Sequence, residues 1–246
     1  MANIITDNKH YTDIANAIRD KAQTTDTYKP EEMAEAIANL PTTEAFWDLY
    51  QQNGNRLDYS YAFAGHGWTD ETFKPKYDIK PRAIVYLFSA TQITDLCKLL
   101  DEAGVVIDLS NTTSISYFAQ STNLLQTIPT LNVQNVKSLS YFISGNNALR
   151  SIEKVILNAE GTQTFSNYSF NGNPLLEEIR FEGKIGNSIA FKESPLLSVA
   201  SLQSIIDALK DVSGGAQQTL TLHADAKARL TDDMRATISA KNWILG

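Results

Sequence analysis

The chain holds three histidines, His10, His66 and His223, and one cysteine, Cys97. These residue types most often hold metals or act as nucleophiles, so their spacing is read first. None of the histidines has a partner at the H-E-x-x-H kind of metal-ligand spacing. His223-Ala224-Asp225 would put two ligand types on one face of a strand, but the simpler reading is a surface turn. No G-x-S-x-G elbow occurs, and Gly65-His66-Gly67 lacks the spacing of a dinucleotide loop. Cys97 lies in a Leu-rich helical pattern and reads as a small core residue. A single cysteine rules out an intramolecular disulfide and a multi-thiolate zinc site. Acidic residues are scattered without an obvious pair that would face one another across a cleft. The expectation is a protein that is not an enzyme and uses no metal or cofactor.

A second chemistry open to side chains is stacking. Phe46, Trp47, Tyr50, Tyr59, Tyr61, Phe63, Trp68, Phe73 and Tyr77 crowd into one stretch. Such a stretch can close the end of a core or form a platform for sugars. The first reading is preferred, because aromatic side chains mostly serve cores and interfaces. The formal net charge of −7 and the lack of Lys/Arg clusters argue against a grip on nucleic acid. No apolar run approaches the roughly 20 residues that span a bilayer, so membrane insertion is not expected. The start, MANIITDNKHYTDIA, has neither a basic region nor an apolar core of signal-peptide length. Synthesis in a cytoplasm is expected.

The elements that would position any surface come from an internal echo. Ser116-Tyr117-Phe118 recurs as Ser140-Tyr141-Phe142, 24 residues later. The same offset relates Asn123 to Asn147, Leu125 to Leu149, Ile128 to Ile152 and Leu131 to Val155. An offset of 21 carries Phe170, Pro174, Leu175 and Leu176 onto Phe191, Pro195, Leu196 and Leu197. Periods in the low twenties with Leu and Ile in fixed phase belong to leucine-rich solenoids. Each unit is too small to bury its own apolar face, so units stack. Leu125, Leu149 and Leu176 should then occupy equivalent inward positions. Asn123, Asn147 and Asn173, just before the leucines, should bond backbone groups at the turns. Tyr117 and Tyr141 are left open between inward and outward.

Four segments follow. Residues 1–41 read as a helical hairpin, with Tyr11, Ile14, Ala15 and Ile18 on one stripe and Met33, Ile37 and Leu40 on the other. Helices of about three turns are marginal alone, so Ile14, Ile18, Met33 and Ile37 are the expected assembly interface. Residues 42–80 are an aromatic-rich connector and N-terminal cap. Residues 81–197 hold the repeats, with strands at 84–88 and 105–109 and a helix from Asp95 to Ala103 ended by Gly104. Residues 198–246 form an α+β C-terminal cap. Ser198 starts a helix carrying Leu202, Ile205, Ile206 and Leu209, ended by Gly214-Gly215; Thr219–Leu222 alternates like an edge strand; Thr231 opens a last helix. The fold expected is α/β: a leucine-rich-repeat solenoid with an N-terminal helical hairpin and an α+β C-terminal cap.

Three stretches carry a resemblance. They are Tyr11–Arg19 with Thr25–Ile37, Tyr61–Gly65 with Trp68–Tyr77, and a tail including Leu209-Lys210-Asp211, Leu230-Thr231-Asp232 and Ala240–Trp243. The chain resembles phage and prophage structural proteins, and its middle is similar to the divergent leucine-rich repeats of bacterial surface proteins. The resemblance implies a tail, baseplate or head fibre component. It further implies a virion location, homotrimers, attachment to other phage proteins through the N-terminus, and contact with a bacterial surface glycan or protein. Alternatives are a host-encoded surface adhesin and, further off, a polysaccharide depolymerase. The resemblance carries no catalytic residues.

Overall fold

The computed structural model describes residues 67–246 apart from 77, 82 and 167. The expected hairpin at 1–41, with Ile14, Ile18, Met33 and Ile37, lies outside the described residues, as does the connector up to residue 66. The described part is mixed α/β, with short parallel strands and few helices.

After strand β1 (Ala83–Val85) comes helix α1 (Leu96–Ala103). Asp95 caps α1 by accepting the Lys98 N–H at 3.0 Å, and Gly104 ends it in the left-handed region at φ 66°. One unit then contributes β2 (Ser114–Ser116), β3 (Ala119–Gln120), β4 (Thr127–Ile128) and β5 (Leu131–Asn132). The next contributes β6 (Ser138–Ser140), β7 (Ile143–Ser144) and β8 (Ser151–Ile156), and a third β9 (Thr164–Phe165) and β10 (Glu178–Glu182). The C-terminal part holds β11 (Ile189–Phe191), α2 (Val199–Ala208), β12 (Gln218–Leu222), α3 (Ala224–Ala228), α4 (Asp232–Ala240) and β13 (Trp243–Leu245).

Each strand pairs with its counterpart in the next unit. Parallel sheets run β1-β2-β6-β9, β3-β7 and β4-β8-β10, with β5 also on β8. The register follows the sequence echo, since Ile115 faces Leu139, Thr127 faces Ser151 and Leu131 faces Val155. Inside, like residues form buried columns. Leu125, Leu149, Leu176 and Leu197 make one, and Phe88, Phe118, Phe142, Phe170 and Phe191 make another, with rings 5.2–6.1 Å apart. Leu125, Leu149 and Leu176 are equivalent in bonding too: each donates its N–H to the carbonyl three residues back, on Thr122, Asn146 and Asn173.

The two edges of the β4-β8-β10 sheet are covered by helices. On one side Asp95 accepts the Thr127 hydroxyl at 2.5 Å, which ties the start of α1 to β4. On the other, α2 takes the place of a further strand: Ser201 and Ser204 accept the N–H groups of Ile179 and Phe181 on β10, both at 2.9 Å. An open row of strand donors invites pairing with other chains, and these hydroxyls occupy it. At the described N-terminal side, Trp68 and Phe73 pack edge-to-face, and Phe73 abuts Phe88.

Four local expectations are corrected. The strand over 84–88 stops at Val85, because Tyr86 turns the chain at φ 58°. Residues 105–109 hold only a bridge between Ile107 and Ile79, and the Val106 N–H is spent on the Asp78 carboxylate at 3.0 Å. Helix α2 ends at Ala208, six residues before Gly214. Leu209 leaves the helix at ψ 125° to bridge Ile185, so tertiary pairing ends it rather than glycine. Strand β12 is central rather than an edge, flanked by β11 and by β13, which sequence reading did not foresee. Ser198 and Thr231 cap α2 and α4 as expected.

Candidate functional site

Strands β1, β2 and β6 each run directly into a tyrosine: Tyr86, Tyr117 and Tyr141. All three adopt left-handed backbone, at φ 58°, 55° and 51°. The local reason is topological. The chain must turn out of the strand so that the following phenylalanine enters the core, and a left-handed residue makes that turn in one step. For a bulky side chain this conformation costs about 1–3 kcal/mol per residue.

A second left-handed row lies further along each unit, at Ala90, Ser121, Gly145 and Gly172. Two of its four members are glycines, for which that conformation is free, whereas Ala90 and Ser121 carry the same Cβ penalty as the tyrosines. A Cβ on Gly172 would stand 3.0 Å from the backbone of Gly145, so space forbids anything larger there. The same backbone state is thus relieved by glycine twice in one row and never in the other, where tyrosine fills it three times.

Outside the core the tyrosines stack. Tyr86 and Tyr117 lie 4.3 Å apart and 4° from parallel; Tyr117 and Tyr141 are at 5.0 Å and 25°; Tyr141 and Tyr168 are at 5.0 Å and 4°. Tyr168 joins from a turn lengthened by one residue and is 46% exposed. Its N–H reaches the Ser166 hydroxyl at 3.3 Å. Stacked neighbours cover the faces of Tyr117 and Tyr141, so these rings present edges.

Beside the ladder, the solvent side of β2, β6 and β9 displays Ser114, Ser116, Ser138, Ser140 and Thr164, none of them buried. Strands β1, β2, β6 and β9 contain no Asp, Glu, Lys or Arg. This face is phenol and hydroxyl, able to donate and accept hydrogen bonds without charge.

The opposite character appears on β4, β5, β8 and β10. Arg150 pairs with Glu177 and Lys154 with Glu182, both at 3.0 Å and both between successive units. Glu153 accepts the Thr130 N–H at 3.1 Å. Thr130, Ser151, Glu153, Lys154, Glu178 and Arg180 line a shallow groove of ≈ 450 Å³.

Between these faces runs a buried polar column. Thr122 donates its N–H to the Asn146 side chain at 3.0 Å, and Asn146 donates its own N–H to the Asn173 side chain at 3.2 Å. The amide of Asn146 also reaches the Ala119 carbonyl at 2.8 Å, and that of Asn173 reaches Ile143 and Phe170 at 3.0 and 2.8 Å. The column therefore holds Asn146 where Asn147 was expected, and Thr122 where Asn123 was expected. Asn123 and Asn147 are exposed and bond each other at 3.1 Å. The expected role holds for Asn173 alone, because the column position lies three residues before the buried leucine, where Asn173 stands, whereas Asn123 and Asn147 stand two before. At the ends, the buried hydroxyls of Thr91 and Ser194 lack a partner.

The chemistry-bearing residues picked out from sequence stand apart. His223 caps α3, its Nδ1 accepting the Asp225 N–H at 3.1 Å, so it is a turn residue rather than part of a strand. Cys97 is half-buried on the flank of α1 instead of in the core, and burial pushes its thiol up to about 11. Among the described residues no group of three or more His, Cys, Asp or Glu could hold a metal ion. Trp68 and Phe73 are buried and offer no open face to a sugar. His10, His66, Ile14, Ile18, Met33 and Ile37 lie outside the described residues.

Sequence reading noticed the Ser-Tyr-Phe echo but missed the ladder. Tyr86 and Tyr168 stand two residues before their phenylalanines, whereas Tyr117 and Tyr141 stand one before. A search for tyrosine within two residues of the buried phenylalanine column finds all four. Comparison of the chain with family models, curated proteins and solved structures finds no match.

Proposed function

We propose that this chain is a phage virion protein, of a fibre, baseplate or head decoration, that adheres to the host cell surface by contact rather than catalysis. In this reading the stacked units are a leucine-rich-repeat solenoid facing outward. The N-terminal segment, through Ile14, Ile18, Met33 and Ile37, joins copies of the chain, as a homotrimer, and attaches them to other virion proteins. The virion assignment rests on the sequence resemblance of the N-terminus, connector and tail.

The observation that carries the adhesive part is the tyrosine ladder. Three strained tyrosines occupy a row where glycine or asparagine would cost less, and they face solvent beside an uncharged hydroxyl surface. The turn itself calls for left-handed backbone but not for a bulky ring, and a ring kept there at that cost is a mark of recognition. Binding per copy is weak and becomes useful through many copies on one particle.

The test is to incubate host cells with the labelled, multimerised chain. Retention above that of an unrelated multimer supports adhesion, and equal retention leaves only a decorative role. Deleting residues 1–41 should abolish incorporation into particles while leaving the remainder folded. Normal incorporation of the shortened chain would overturn the attachment role.

A further inference from the structure

We propose that the Tyr168 end of the ladder seats a neutral carbohydrate chain, one sugar ring lying on the outer face of Tyr168 and the rest running over the hydroxyl surface of β9 and β6. This deepens the adhesion reading and rests on it.

The first step is which aromatic faces are open. Inside the ladder, Tyr117 and Tyr141 are each sandwiched between rings at 4.3–5.0 Å, so no flat ligand can lie on them. Tyr168 is stacked by Tyr141 on one side, and no further ring stacks on it among the described residues. The next unit reads Ile189-Ala190-Phe191 and supplies no tyrosine; Ile189 and Ala190 are themselves buried in β11. The ladder therefore ends on an exposed aromatic plane whose orientation is set by the rings behind it. A preset plane binds with less loss of side-chain freedom than a lone surface tyrosine.

The second step is what adjoins that plane. Tyr168 is tied by its N–H to Ser166, and Thr164, Ser138 and Ser140 continue the surface along β9 and β6. Hydroxyls both donate and accept, matching a ligand that does the same at every position. The strands carry no ionisable residue, and Lys137 stands at the entry to β6. An anionic polymer would call for paired Lys or Arg, which this face does not offer. A peptide strand would add through backbone bonds at a sheet edge, whereas the surface beside Tyr168 is the side-chain face of β9 and β6. A neutral sugar chain fits the remaining chemistry, setting apolar C–H faces on the ring and hydroxyls on Ser and Thr.

The experiment uses the full chain. Saturation-transfer NMR and a binding titration are run with malto-, cello- and galacto-oligosaccharides and with the neutral polysaccharide fraction of host cell walls. Hyaluronan oligosaccharides and a glycerol-phosphate polymer serve as anionic comparisons. At least one neutral probe should bind, with saturation strongest on the ring protons of one sugar. Tyr168→Ala should weaken that binding about tenfold, equivalent to about 1.4 kcal/mol. Tyr168→Phe, which keeps the plane, should retain most of it. Tyr168 is exposed, so both variants should fold, and circular dichroism checks this. Binding of the anionic probes alone, or neutral binding unchanged by Tyr168→Ala, overturns the proposal. So does absence of neutral binding in a chain that still coats host cells, and that result leaves adhesion standing. A chain that binds neither removes both.

Discussion

Two outer faces of the stacked units share one backbone and differ in almost everything their side chains do. On β4, β5, β8 and β10 the exposed positions carry Glu153, Lys154, Arg180 and the pairs Arg150–Glu177 and Lys154–Glu182. On β2, β6 and β9 they carry serine and threonine, and β1, β2 and β6 lead into stacked tyrosines. The charged face resolves its electrostatics internally, between neighbouring units. The tyrosine face keeps its hydrogen-bonding groups uncharged and turned outward, and it holds strained backbone to do so. The comparison teaches that a repeat can carry paired charges on one side and an uncharged aromatic and hydroxyl surface on another without changing its core.

The largest expected effect concerns what the faces share. Leu149→Ala removes a fully buried member of the leucine column, which should cost about 2–5 kcal/mol in urea unfolding. A cost under about 1 kcal/mol would mean the faces do not hang on one continuous core. Next, Asn146→Ala takes away the partner of the Thr122 N–H and the Ala119 carbonyl, both inside the protein. It should cost about 1–3 kcal/mol, with tyrosine fluorescence and far-UV circular dichroism melting together.

The two left-handed rows give the sharpest contrast. Gly172→Ala crowds the Gly145 backbone at 3.0 Å and should destabilise by about 1–3 kcal/mol. Tyr141→Gly relieves strain while losing two stacked contacts, so stability should move by no more than about 1 kcal/mol, yet cell binding should drop. If Tyr141→Gly destabilises as much as Gly172→Ala and leaves adhesion intact, the ladder is a structural feature and the comparison between faces collapses.

Smaller effects belong to the charged face. A double-mutant cycle on Arg150 and Glu177 should return about 0.2–1 kcal/mol, shrinking as salt is added, because both side chains are half-exposed. Removing the pair should leave cell binding unchanged.

Smallest at neutral pH is Cys97, beside β4. Its thiol is raised from 9.0 to about 11 by burial, so the folded chain keeps a proton that the unfolded chain gives up in that window. Stability is unaffected below pH 9 and should decline as pH rises toward 11. Iodoacetamide should label the folded chain slowly at pH 8 and the urea-unfolded chain fast; equal rates would refute the burial.

Much of the fold was legible in the amino-acid order, because the interactions that make a repeat are written at fixed spacing. Residues 24 apart that stack must be alike, so the leucines and isoleucines announced their columns, and Ser198, Thr231 and Gly104 announced helix ends through local backbone chemistry. What stayed hidden depended on partners far along the chain. Leu209 leaves its helix because Ile185 is there to pair with it, and β12 is central because Trp243–Leu245 returns beside it. The buried column took Asn146 instead of Asn147 because the residue three before the leucine, not the one two before, turns inward, and the shared offset of 24 does not distinguish the two. The tyrosines could point either way on sequence grounds. Their outward stacking was decided only when strand pairing set successive units a ring's thickness apart, close enough for four side chains to form one surface.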